Sequence, residues 1–81
     1  MYPLMKISEI VPFEPFMEAQ DVSKIARSPR GFLTFYKKNN GKLNDFWIMK
    51  RNAFIARHLA QYQKKPTIRR KLALIAWAFM P

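Results

Sequence analysis

Hydrophobic and polar positions in the C-terminal half follow a helical period. Placed at about 100° per residue, residues 44–63 divide into a wide apolar arc and an opposite arc that is basic and aromatic. The apolar arc, which we predict to face the core, contains Tyr62, Ile55, Ile48, Leu59, Ala56, Met49, Ala60 and Ala53. The other arc contains Arg57, Lys50, Gln61, Phe54, Trp47, His58 and Arg51. With Asn44 or Asp45 as its N-cap, the longest helix is predicted to run to about Gln63.

A second helix is predicted at the C-terminus. Pro66 disfavours helix at Lys65 and marks a break, after which Thr67 is a candidate N-cap. The uninterrupted apolar run Leu72–Met80 would rise only about 14 Å as a helix, roughly half of a bilayer core, so we expect no membrane span. The segment Leu72–Phe79 is therefore predicted to be the buried central strut of the fold.

The N-terminal part has weaker periodicity. Three prolines in residues 1–15 predict an extended arm with apolar anchors. A short helix is predicted over residues 16–27, and another between Ser28-Pro29 and the Asn39-Asn40-Gly41 stretch. We therefore predict an all-α fold: a small bundle of three or four helices with an extended, proline-bearing N-terminal arm. We predict a single domain, 1–81, with the extended arm at 1–15 and the helical body at 16–81.

Length and composition narrow the class of protein. Its 81 residues include 49% hydrophobic residues and only two glycines, which is typical of one small globular domain rather than a disordered chain. The sequence contains no cysteine, so neither disulfides nor thiolate metal sites are expected. Acids and prolines stand where a signal peptide needs an apolar run, so we expect no secretion by that route.

Charge is the strongest functional indication. The net charge is +10, and residues 22–81 carry 14 cations against a single acid, Asp45. No acidic residue follows Phe46. Self-repulsion of this kind opposes folding, so it favours an anionic partner. A basic surface that serves only solubility is the alternative.

The densest group of cations surrounds the predicted helix break. Basic residues in the first turn of a helix oppose its dipole, whereas free N–H groups and cations there suit phosphate or carboxylate oxygens. The primary anion-binding candidates are Lys64, Lys65, Arg69, Arg70 and Lys71, with Lys50, Arg51 and Arg57 on the preceding helix. Arg69, Arg70 and Lys71 are the first residues to mutate. A solvated face is the alternative interpretation.

Two aromatic residues accompany these cations. Trp47 and Phe54 lie seven residues apart on one line of the basic arc, where they are candidates for stacking on bases. The alternative, which we favour, is that the arm or the preceding helix covers both rings.

Catalysis has little support in the sequence. His58 is the only histidine, and the acids are scattered. A lone histidine on a basic face more often contacts phosphate or completes a hydrogen-bond network than acts as a base or ligand. No glycine-rich phosphate loop is present. We expect a non-enzymatic protein with no catalytic residues, metal or cofactor.

The stretch RNAFIARHLAQYQKKPTIRRKLALIAWAFMP resembles the C-terminal part of small basic proteins encoded by bacteriophages. The resemblance carries over no functional residue, but it implies a virion or infected-cell location. Two functions then compete. The chain is either a module that contacts nucleic-acid phosphates without strong sequence specificity, or a minor virion assembly protein. In the second case its arm and basic face bind acidic surfaces of neighbouring virion proteins. The sequence leaves the oligomeric state open.

Overall fold

The computed structural model describes residues 1–81 and contains helices and turns but no strand. This confirms the all-α prediction. The elements in chain order are α1 Ile7–Ile10, a 3-10 helix Val11–Phe13, α2 Glu14–Ala19, α3 Phe32–Lys38, α4 Asp45–Lys64 and α5 Ile68–Ile75. The long helix α4 packs mainly on α5, and α2 also contacts α5.

The N-terminal segment is less extended than predicted. Within the predicted arm only residues 1–6 lack helical structure, because the chain is helical from Ile7 to Ala19. Pro12 lies in the first turn of the 3-10 helix and Pro15 in the first turn of α2. Proline is tolerated there because the first N–H groups of a helix need no intrahelical acceptor. The extended arm therefore comprises residues 1–6 and not residues 1–15 as predicted.

The first residues pack onto the body of the same molecule. The Met5 N–H donates to the Ala78 carbonyl at 2.8 Å, and the Met5 carbonyl accepts from the Tyr36 hydroxyl at 2.7 Å. Burial is the main cause that raises the pKa of Tyr36. Met5 itself is buried. The segment thus joins the core of its own chain.

Turns replace the predicted helix over residues 20–27. Helix α2 ends at Ala19, and α3 begins at Phe32 with Gly31 as its N-cap, not at Ser28. The Ser28 hydroxyl instead donates to the Ile25 carbonyl at 2.6 Å and stabilises a turn. A Cβ atom at Gly31 would collide with the carbonyl oxygens of Ile25 and Ala26. This close backbone approach requires glycine.

The predicted N-caps of the two C-terminal helices and the end of α4 are confirmed. The Asn44 side chain accepts from the Trp47 N–H at 2.9 Å, and the Thr67 hydroxyl accepts from the Arg70 N–H at 3.1 Å. Helix α5 ends at Ile75, earlier than the predicted strut, and Ala78 turns the chain with a φ of 60°. The segment is nevertheless central, since its fully buried residues are Leu72, Leu74, Ile75, Ala76 and Ala78.

The predicted core face of α4 is rotated relative to the observed one. Arg51 and Ile55 are the only residues of α4 that are fully buried. Met49 is 73% exposed, and the three alanines of the predicted face are also exposed: Ala53, Ala56 and Ala60. The rotation arises because Arg51, assigned to the solvent by its charge, faces the interior.

A row of stacked rings joins α3, α4 and the turn after α5. Neighbouring rings are nearly parallel along the series His58, Phe54, Trp77, Phe32 and Tyr36. Their centroids are separated by 3.9, 4.5, 4.7 and 5.5 Å in that order. Stacked aromatic pairs stabilise beyond the area they bury. This aromatic row fixes how α3 and the turn after α5 sit against α4.

Candidate anion-binding surface

Arg51 is an interior residue and not part of a binding surface. Its side chain is 0% exposed, and it donates to four backbone carbonyls. Those of Trp77 and Ala78 lie at 2.7 and 2.9 Å, and those of Tyr2 and Pro3 at 2.7 and 2.5 Å. Burial lowers the pKa of Arg51 to about 10, so the guanidinium stays charged at neutral pH. The prediction that it contacts an anionic partner is wrong, because its donors are occupied inside the chain.

The two candidate stacking residues, Trp47 and Phe54, pack against other aromatic rings of the same chain. Phe54 lies between His58 and Trp77, so both of its faces are covered. Trp47 contacts the α3 rings of Phe32 and Phe35, each at a centroid distance of 5.9 Å. Trp47 is thus covered by the preceding helix, as we expected for both rings in the alternative that we favoured. The cover for Phe54 comes from its own helix and the turn after α5, neither of which that interpretation named.

Three of the predicted cations meet where α4 ends and α5 begins. Lys64, Lys65 and Arg70, which we call the junction cations, line an open hollow of about 400 Å³ together with Gln61. Both lysines are exposed. The Arg70 guanidinium donates to the Lys65 carbonyl at 2.6 Å, which holds it against the break between the helices. No acidic side chain lines this hollow.

Arg69 and Lys71 do not belong to that group. The Arg69 guanidinium donates to the carbonyls of Gln20 and Asp21, just beyond the C-terminus of α2. Cations suit this position because it gathers unpaired carbonyls at the negative end of the helix dipole. Lys71 is half-buried and does not line the hollow. The apparent misplacement of Arg69 at the start of α5 therefore has a structural explanation.

The remaining predicted cations lie along α4 itself. Lys50 and Arg57 are exposed, and the Lys50 ammonium sits 5.6 Å from the centre of the Phe46 ring. Neither residue lines the junction hollow. The eight predicted cations are thus distributed over three surfaces and the interior.

Few of these positive charges are neutralised within the molecule. One ion pair forms, between Lys37 and Glu14 at 3.0 Å, and both residues lie outside α4 and α5.

Gln61 is the residue of the hollow that the sequence did not assign to the site. Its position one turn before Lys64 and Lys65 is the signal that could have identified it.

The structure contains neither a metal site nor a membrane-spanning helix, and its single histidine packs on another ring. No cluster of three histidine, cysteine or acidic side chains is arranged to hold a metal ion. None of the helices combines the length and the apolar character needed to cross a bilayer. His58 has a lowered pKa, first because of burial and second because of Arg57, but its ring stacks on Phe54.

The fold and surface define a small, basic, all-α protein with an unneutralised cationic hollow. No family model, no curated protein and no solved structure matches the chain.

Proposed function

We propose that the protein is a small basic binding module that contacts the phosphates of a nucleic-acid backbone through the junction cations. The observation that carries this proposal is the convergence of Lys64, Lys65 and Arg70 around an open hollow without an acidic residue. Phosphate oxygens are well matched to such a group, because an arginine fork and two mobile ammonium groups supply several charge-assisted donors.

The adjacent start of α5 adds to this match. A helix N-terminus carries partial positive charge and N–H groups with no intrahelical acceptor. Thr67 caps only the Arg70 N–H, so the preceding N–H groups of α5 have no intrahelical acceptor and suit an anion bound at this end of the helix.

Contacts to base edges have no comparable support. A recognition helix needs exposed polar side chains over several turns, whereas α5 buries Leu72, Leu74 and Ile75 directly after its first turn. Phe54 is covered on both faces. We therefore propose binding that follows phosphate charge and has little sequence preference.

The alternative of a virion assembly protein is left with less support. The main support for that alternative was the expectation that an apolar N-terminal arm inserts into a neighbouring protein. The first six residues instead contact the body of the same chain. The Met5 N–H donates to Ala78, and Arg51 donates to the carbonyls of Tyr2 and Pro3. The basic face, which the alternative also uses, fits an acidic protein as well as a phosphate backbone.

The test compares salt dependence between two double variants. We expect Lys64→Ala/Lys65→Ala to weaken duplex and single-strand binding and to reduce the slope of log affinity against log salt. If each lysine neutralises one phosphate, the duplex slope falls by about 1.8. The matched control, Lys24→Ala/Lys42→Ala, removes two exposed cations from elsewhere and should leave the slope unchanged. Equal effects of the two variants would contradict the proposal and indicate attraction by overall charge alone.

A further inference from the structure

The side of α4 that faces away from the core carries a continuous apolar stripe. Its residues follow at spacings of three and four, which aligns them along the helix. We call it the outer stripe: Phe46, Met49, Ala53, Ala56 and Ala60. All five are exposed, with Phe46 at 57% and Met49 at 73%. Exposed apolar surface arranged in this way marks an interaction site, since isolated surface residues show no such alignment.

Shape along the outer stripe favours a helical occupant. Phe46 and Met49 are bulky and lie near the start of α4, whereas the rest of the stripe consists of alanines. The stripe spans 14 residue steps, or about 21 Å. Alanines allow a second helix to approach at the short end of the usual 8–10 Å range. Two hollows of about 280 and 650 Å³ open beside Ala53 and can receive large apolar side chains.

Charge decides which helix fits. Lys50 and Arg57 lie seven residues apart along one edge of the stripe, and both are exposed. A second copy packed antiparallel along the stripe would bring the same cations against each other, and in either orientation it would join two molecules of net charge +10 each. A helix with carboxylates along the facing edge would pair with these cations instead.

We infer that the outer stripe docks an amphipathic helix of an acidic partner protein. The helix places large apolar side chains opposite the alanines and its carboxylates beside Lys50 and Arg57, a helix-on-helix mode of recognition. This inference goes beyond the proposed nucleic-acid contacts, because it uses neither the junction cations nor Thr67. One molecule could thus hold a phosphate backbone at one end of α4 and a protein along its outer side.

The test uses a synthetic helical peptide with leucines on its apolar face and glutamates along one flank. Its twin carries lysines in place of the glutamates. Binding of labelled peptide to the full chain is followed by fluorescence anisotropy at physiological salt. The glutamate peptide should bind at least about tenfold more tightly than the lysine twin. Ala56→Gln, which adds bulk in the middle of the stripe, should weaken that binding about tenfold or more.

Matched controls separate docking from general attraction. Ala19→Gln makes the same change at an exposed alanine of α2 and should leave the affinity unchanged. Lys50→Ala/Arg57→Ala should weaken binding of the glutamate peptide by more than Lys24→Ala/Lys42→Ala does. This cation pair also keeps the test decisive if Ala56→Gln fails to fold. Lys65→Ala/Arg70→Ala removes two junction cations that follow α4 in the sequence and should keep peptide affinity within about twofold, so failure of the nucleic-acid proposal and failure of this inference are distinguishable.

Three outcomes would overturn the inference. The first is equal binding of the glutamate peptide by Ala56→Gln and the unchanged chain. The second is equal binding of the two peptides. The third is a concentration-dependent dimer of the unchanged chain that Ala56→Gln abolishes, since the occupant would then be a second copy.

Discussion

Lys50 and Arg51 are neighbours in the sequence and meet opposite surroundings. Arg51 is fully buried, and its guanidinium reaches four carbonyls from the two ends of the chain. Lys50 is exposed, and no acidic side chain pairs with it. One residue step turns about 100° around a helix, so position on α4 alone separates the two cations.

The contrast extends to the two sides of α4. On the inner side, burying a charge would cost several kcal/mol, and four charge-assisted hydrogen bonds of about 1.5–3 kcal/mol each offset that cost. On the outer side, cations and apolar residues remain accessible together. A positive charge thus organises the fold on one side of the helix and is available for recognition on the other.

The largest expected effect comes from removing the buried cation. Arg51→Met should lower the free energy of unfolding by about 3–5 kcal/mol, because four hydrogen bonds to backbone carbonyls are lost and only the Ala78 carbonyl keeps another donor, the Met5 N–H. Urea unfolding followed by circular dichroism measures this change. Hydrogen exchange at the Met5 N–H should also accelerate, because its acceptor Ala78 is one of the groups that Arg51 holds.

The neighbouring position supplies the control for that prediction. Lys50→Met makes the same substitution on the outer side and should change stability by no more than about 0.5 kcal/mol. Arg51→Lys should fall between the two, since an ammonium cannot span four carbonyls as a planar fork does. Similar stability of the two methionine variants would remove the distinction between the sides of α4.

Local signals in the sequence predicted the helix boundaries well. Asn44, Thr67 and Pro66 act within one turn of their own positions, so their effect can be read without knowing the fold. The N-terminal prolines were misread because the same residue ends one helix and starts another, and only the surrounding contacts decide which. The turns over residues 20–31 depend on the close approach of Gly31 to the backbone of Ile25 and Ala26. The hydrophobic periodicity of the sequence gives no sign of this contact.

The candidate site was predictable in part for a similar reason. Charge density identified Lys64, Lys65 and Arg70, which the structure does bring together. Arg51 and Arg69 were assigned to the same surface because a sequence shows a charge but not its acceptors. Their acceptors are backbone carbonyls 26 to 49 residues away along the chain, and carbonyls are common to every residue. Long-range partners of this kind leave no compositional signal.

A smaller effect on stability should separate stacking within the chain from stacking on bases. Phe54→Leu removes one ring from the middle of the aromatic row and should lower the free energy of unfolding by about 1–3 kcal/mol, because two stacked pairs are lost. Nucleic-acid affinity, measured where the variant is fully folded, should stay within about twofold. Base stacking would instead give a loss of affinity of about 1–3 kcal/mol, and that result would restore Phe54 to the binding surface.

The smallest expected effect is a pH dependence set by His58. Burial, and secondarily Arg57, holds its pKa below the ordinary value of 6.5. The unfolded chain therefore binds more protons than the folded one just below that pH, and the free energy of unfolding decreases as the solution is acidified. His58→Phe keeps a ring on Phe54 but does not titrate, so its stability should change less between about pH 7.5 and 5.5. Parallel stability curves for the two proteins would show that His58 is equally easy to protonate in the folded and unfolded states.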